Sequence, residues 1–265
     1  MTRESLLAQA PVLLHEEVVA LFPSKNERTR ESLVAYHVRK GRLLRVRRGL
    51  YAVVPPGAQP GGFSPDPYLL AAKMAPDAAL AYHTALEVQG KAHSVSERFL
   101  FLTKTRAHPV TFRSLEFKSV RHPARLLALN RESFGIQKAD RSGVPIRVTG
   151  LERTMVDALD RPDLGGGWEE IWRSLESVEY FDLEKVVEYA LLLGNATTVA
   201  KVGYFLDQHR QTLMVEDVHL EPLRSHRPKR PHYMDRSRRG NGRLVSEWNL
   251  VVPVYVAERS WEEGP

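Results

Sequence analysis

The stretch "RKGRLLRVRRGLYAVVP", residues 39–55, decides how the chain is read. Six of its first ten residues are cationic (Arg39, Lys40, Arg42, Arg45, Arg47 and Arg48), and no acid balances them. Gly41 suits the left-handed position that ends a helix. Residues 42–56 then read as a strand, a tight turn and a second strand closed by Pro55-Pro56. With Arg48-Gly49 as a two-residue turn, Arg47 opposes Leu50, Val46 opposes Tyr51 and Leu44 opposes Val53. Leu44, Val46, Tyr51 and Val53 then share an inward face. Arg45 and Arg47 point outward, because side chains alternate along a strand.

Upstream, Arg3 to Gln9 reads as a helix, Val12 to Leu14 as a short strand and His15 to Leu21 as a second helix stopped by Pro23. Ser24 and Glu27 have the spacing of a capping box, which opens a third helix ending at Lys40. Val34 and Val38 give that helix a buried side, while Arg28, Ser32, Ala35 and Arg39 line another face. Three helices followed by a hairpin is the order of a winged helix-turn-helix. In such a module the third helix enters the major groove and the hairpin touches the backbone or the minor groove beside it.

Charge is distributed in blocks. Residues 1–60 carry net +5, 61–148 net +6, 149–223 net −9, 224–243 net +7 and 244–265 net −3, within an overall +6. A polyanion is the first partner such a pattern suggests. Duplex DNA offers about one negative charge per 1.7 Å, so Arg45, Arg47 and Arg48 on the hairpin, with Arg39, Lys40 and Arg42 leading into it, suit phosphate. Lys25, Asn26, Arg28, Thr29 and Ser32, near the start of the third helix, are placed to reach base edges. The chain has no cysteine, which excludes disulfides and thiolate metal sites. No segment approaches the roughly 18 apolar residues of a membrane span, and the first residues do not read as a signal peptide. A soluble, cytoplasmic protein without a membrane partner is expected.

The fold class expected is mixed α+β: a winged helix over 1–56, a Gly/Pro-rich linker over 57–66 and a larger α/β domain over 67–265. In that domain, helices are expected near Pro67–Lys73 and Tyr82–Val88, and strands at Arg98–Thr103, Leu115–Val120 and Val144–Val148. Thr149 and Glu152 form a second capping box opening a helix to Leu159, in which Arg153 and Asp157 pair at i,i+4. Helices over Trp168–Leu175, Leu183–Leu193 and Thr198–Gln208 follow. A basic loop over 224–243 and an apolar strand, "EWNLVVPVYV" (247–256), complete the chain.

Catalytic signatures are weak. Pro76-Asp77 with Glu116-Phe117-Lys118 spells PD…ExK, in which two carboxylates hold Mg²⁺ and a lysine activates water. Asp77, however, suits a cap, and Glu116-Phe117-Lys118 suits an alternating strand. Glu152, Asp157, Asp160 and Asp163 are explained by local structure, and the ten histidines show no metal-ligand spacing. Gly165-Gly166-Gly167 lacks the Lys-Ser/Thr of a phosphate loop. No enzyme, metal or cofactor is expected. The alternatives are a metal-dependent nuclease targeted by a winged helix, and a ligand-sensing regulator.

Four segments in order, "GRLLRVRRGLYAVVPP" (41–56), "DPYLLAAKMAPDAALAYHTALEVQG" (66–90), "VTGLERTMVDALDRPDLGGGWEE" (148–170) and "EWNLVVP" (247–253), resemble the AbiEi-type antitoxins of type IV toxin–antitoxin systems. The resemblance implies a winged helix that represses its own operon at repeated promoter sites. It also implies an α/β domain that counters a nucleotidyltransferase toxin, with or without a stable complex. Tyr82, His83, Glu152, Arg153 and Asp157 are read as structural or interaction residues.

Overall fold

The computed structural model describes residues 10–105, 107–235, 237 and 240–262. The helix expected over Arg3–Gln9 lies outside them. The chain forms two compact units. The first holds everything described up to Leu80, with Glu97–Val120 and Lys138–Arg147; the second holds Ala81–Ser96, Arg121–Gln137 and the chain from Val148.

The first unit begins with β1 (Val12–Leu14), α1 (His15–Ala20), α2 (Glu27–Arg39), β2 (Leu43–Arg47) and β3 (Leu50–Val53). The three strands form an antiparallel sheet in the order β1-β3-β2. Leu13, Val18, Phe22, Val34, Leu43, Tyr51 and Val53 form its core. The helix α2 begins later than a Ser24 cap would place it. Asn26 is the cap, its Oδ1 accepting from the Thr29 amide at 2.9 Å. Gly41, at φ +68°, ends it as expected.

The hairpin is present but its register is not the expected one. Arg47 opposes Leu50, whereas Arg45 opposes Tyr51, Leu44 opposes Ala52 and Leu43 opposes Val53, with a bulge between Arg45 and Arg47. A bulge sets two residues against one and resets the alternation beyond it. Leu43 and Val46, three apart, are therefore the buried pair on β2, and Leu44 is only half-buried.

A six-stranded sheet follows, built from β4 (Ala79–Leu80), β5 (Arg98–Thr103), β6 (Val110–Phe112), β7 (Leu115–Arg121), β8 (Ile136–Arg141) and β9 (Val144–Thr149). Its order is β6-β7-β5-β4-β9-β8. The helix α3 (Pro67–Ala72) is capped by Asp66, and its Tyr68 packs edge-on against Phe99, which stacks on Phe117. Residues 57–66, expected as a linker, are held within this unit. Arg113, in the β6–β7 turn, donates to the carbonyls of Phe63 (2.6 Å) and Pro60 (2.9 Å), and Asp66 pairs with Arg141.

The second unit is mainly helical: α4 (His83–Val88), α5 (Ala124–Ala128), α6 (Leu151–Asp160), α7 (Trp168–Glu176), α8 (Leu183–Leu193), α9 (Ala196–Gln208) and α10 (Asp217–His226). Trp172, Ile171, Phe205, Leu206 and Leu220 are fully buried at its centre. The helix α10 is not among the expected ones, and "EWNLVVPVYV" divides into a 3₁₀ turn (Ser246–Trp248), β12 (Leu250–Pro253) and α11 (Val254–Ala257). Asn249, at φ +47°, separates the turn from the strand. Part of the expected basic loop pairs with β12 as β10 (His232–Tyr233) and β11 (Gly242–Val245). Among the described residues no helix is long and apolar enough to cross a membrane.

Candidate functional site

In the first unit the predicted residues occupy one helix and one hairpin. Along α2, Arg28, Ser32, Ala35 and Arg39 are all exposed, as are Lys25 before it and Lys40 after it. The sequence places these side chains outward because Val34 and His37 take the buried side. Not every polar group on this face is available. Asn26 spends its carbonyl oxygen on the cap, Thr29 is half-buried, and the Ser32 hydroxyl donates to the Arg28 carbonyl at 2.9 Å.

On the hairpin, Arg45 and Arg48 are exposed, and no hydrogen bond or ion pair among the described residues holds either side chain. Arg42 is half-buried beside the end of α2, its amide donating to the His37 carbonyl. Arg47 differs from the outward placement expected of it. It is half-buried, and its guanidinium donates to the Met74 carbonyl at 2.9 Å and to the Arg48 carbonyl at 3.1 Å.

The PD…ExK residues are engaged separately. Asp77 accepts from the Thr103 hydroxyl (2.6 Å) and the Lys104 amide (2.7 Å), in a turn rather than at a helix cap, while Glu116 pairs with Arg98 at 2.8 Å. Among the described residues no group of three His, Asp or Glu side chains is arranged to hold a metal ion.

The second unit contains two buried polar clusters. Arg153 and Asp157, expected as an i,i+4 pair, are paired at 3.2 Å and lie fully inside. Arg153 also donates to the carbonyls of Glu132 (2.8 Å) and Phe134 (2.6 Å), and Tyr189 donates its hydroxyl to Asp157 at 2.7 Å. Burial pushes the Asp157 carboxyl up, against the pull of Arg153 and Tyr189. Glu152 forms no capping box; its carboxylate accepts from the Asp182 amide, and Thr149 bonds Thr154 instead. A Gly cap has no side chain to complete such a box, which the Thr-x-x-Glu spacing does not show.

The other cluster centres on His83. Its Nε2 meets Glu170 at 3.2 Å and its Nδ1 lies 3.8 Å from Glu87, with all three side chains buried. Glu170 further accepts from the Ser174 hydroxyl and the His93 and Ser94 amides. Burial alone would depress the imidazolium, but Glu170 and then Glu87 outweigh it and hold His83 at a pKa of about 9. Burial likewise opposes ionisation of Glu170, yet the donors from His83, Ser94 and Ser174 pull it down to about 2. Sequence reasoning did not join His83 to Glu170, which lies 87 residues away.

A folded-state pKa above the free value stabilises the fold below about pH 6.5, and that contribution is lost as pH rises through about 9. A folded-state pKa near 2 for Glu170 gives stability that is complete above the free glutamate value and is lost as pH falls toward 2. Urea midpoints of the second unit, followed by the fluorescence of buried Trp172, are therefore expected to fall between pH 6.5 and 9. The loss is on the order of 3 kcal/mol, and His83→Gln removes the dependence. A flat wild-type profile across that window would contradict the charged assignment.

A cleft of about 620 Å³ also opens in this unit, with Asp160, Asp163, Trp168, Lys201 and Tyr233 among its walls. Thr198 bonds Asp160, and the Lys201 ammonium donates to the Leu159 carbonyl and lies 5.1 Å from the centre of the Trp168 ring.

These features define a mixed α+β protein with three sheets and with exposed cations on α2 and the hairpin. Its fold is similar to that of the RV2827C protein from Mycobacterium tuberculosis, known from a crystal structure, at a TM-score of 0.65 and 19% identity over 99% of this chain and 93% of that one. No family model matches the sequence, and no curated protein matches it.

Proposed function

We propose that the first unit carries a winged helix-turn-helix that binds duplex DNA, and that the protein represses its own promoter as the antitoxin of a nucleotidyltransferase toxin. The observation that carries the DNA reading is the set of exposed cations on α2 and on the hairpin that follows it. Arg28, Ser32 and Arg39 on α2 lead through Lys40 and Gly41 into a hairpin whose Arg45 and Arg48 are exposed. A helix with short polar and cationic side chains beside a basic hairpin suits base-edge contact on the first and phosphate contact on the second. The antitoxin part rests on the resemblance of segments 41–56, 66–90, 148–170 and 247–253 to the AbiEi-type antitoxins.

A footprint on the DNA upstream of the gene tests the first part. Protection of two repeated sites by two copies is the expected result, and binding with no preference for that DNA would count against autorepression. Co-expression with a nucleotidyltransferase encoded beside the gene tests the second part, with restored growth as the expected result. A ligand-sensing regulator is the second reading, favoured by the cleft at Asp160 and Trp168. The nuclease reading finds no support in the separate engagement of Asp77 and Glu116.

A further inference from the structure

We infer that Arg47, in the middle of the basic run, is a positioning residue and not a phosphate contact. Together with Lys73 and Arg113, it fixes the α2–hairpin element on the chain segment 60–74. Its functional consequence rests on the proposed DNA binding, and the mounting itself on geometry alone.

The bulge between Arg45 and Arg47 sends the two arginines to different surroundings. Arg45 stays in solvent. Arg47 turns inward to the carbonyl of Met74, two residues past the end of α3. One guanidinium edge is thus committed at 2.9 Å to a site inside the protein and another at 3.1 Å to the turn carbonyl of Arg48. A phosphate would have to compete with both.

Two further cations secure the same element from other sides. The Lys73 ammonium lies 2.7 and 2.6 Å from the two oxygens of Glu17, and Glu17 also accepts from the Leu14 amide at 2.6 Å, which ties the β1–α1 junction to the end of α3. Arg113 holds the carbonyls of Pro60 and Phe63, and the Pro60 ring packs on Gly41, leaving no room for a side chain there. The end of α2, the start of α1 and the hairpin are each anchored by one cation. These three charges belong to the mounting. The charges left to meet DNA are those of Lys25, Arg28, Arg39, Lys40, Arg45 and Arg48, with half-buried Arg42.

The test compares Arg47→Ala, Arg47→Lys and Arg45→Ala in the full chain. It measures affinity for a duplex of the upstream DNA over a salt series, and amide hydrogen exchange of residues 43–53 in the free protein. Arg45→Ala is expected to lower the slope of log K against log salt by about 0.9 and leave exchange unchanged. Arg47→Ala is expected to weaken binding about tenfold at an unchanged slope, with faster hairpin exchange. Arg47→Lys keeps the charge and can reach one carbonyl, so its exchange falls between the two. A slope reduced by about one in Arg47→Ala, or exchange identical to wild type in both Arg47 variants, would overturn the inference. If the wild type does not bind duplex DNA, the DNA reading fails, and the exchange data still decide the mounting role.

Discussion

Replacing Arg45 and Arg48 together with alanine is expected to weaken duplex binding roughly 100-fold and to flatten its salt dependence by about 1.8 units of slope. Both side chains are exposed, and the inward residues of the hairpin, Val46, Leu50 and Tyr51, are untouched by the change. The fold should therefore survive. Each lost contact is a charge-assisted hydrogen bond worth about 1.5 kcal/mol or more, and every 1.4 kcal/mol is about tenfold in affinity. Because phosphate carries no sequence information, the loss should be similar on specific and random duplexes. Arg28→Ala on α2 should behave differently, narrowing the gap between specific and random DNA. Unchanged affinity and slope in the double variant would remove the hairpin from the interface.

Arg153→Ala in the second unit should cost about 3–5 kcal/mol in urea unfolding. The penalty comes from what remains. Asp157 would be left inside with only the Tyr189 hydroxyl, and the carbonyls of Glu132 and Phe134 would lose their donor. Replacing both partners with apolar residues, as in Arg153→Met with Asp157→Leu, removes the stranded charge and should cost less than Arg153→Ala alone. Tyr189→Phe removes one hydrogen bond and should cost about 1 kcal/mol. A double variant no more stable than Arg153→Ala would show that the two carbonyls, not the charge, set the cost.

Local signals in the sequence were legible, and long-range ones were not. Gly41 marked the end of α2 because only a left-handed residue serves there, and the alternation of 43–53 announced a hairpin. The bulge was hidden, since Leu43-Leu44 offers either residue to the core and nothing local chooses between them. Asn26 displaced Ser24 as cap because both residue types can cap, and it is Asn26 whose side chain accepts from the Thr29 amide. The helix over Asp217–His226 escaped notice because Pro222 lies within it and its cations merged with the basic run beyond. The Arg153–Asp157 pair was visible as spacing. Its burial depends on Tyr189 and on backbone carbonyls about twenty residues upstream, which no window of sequence contains. For the candidate site, the charges were legible and their division between solvent and mounting was not. That division depends on Met74, Glu17 and Pro60.

The first unit draws on three separated stretches of chain, the last of them Lys138–Arg147. A chain leaving the ribosome exposes α2 and its hairpin early, while β9 is completed only near residue 149. Nascent chains shorter than this carry the cationic face without the finished sheet of the unit that holds it.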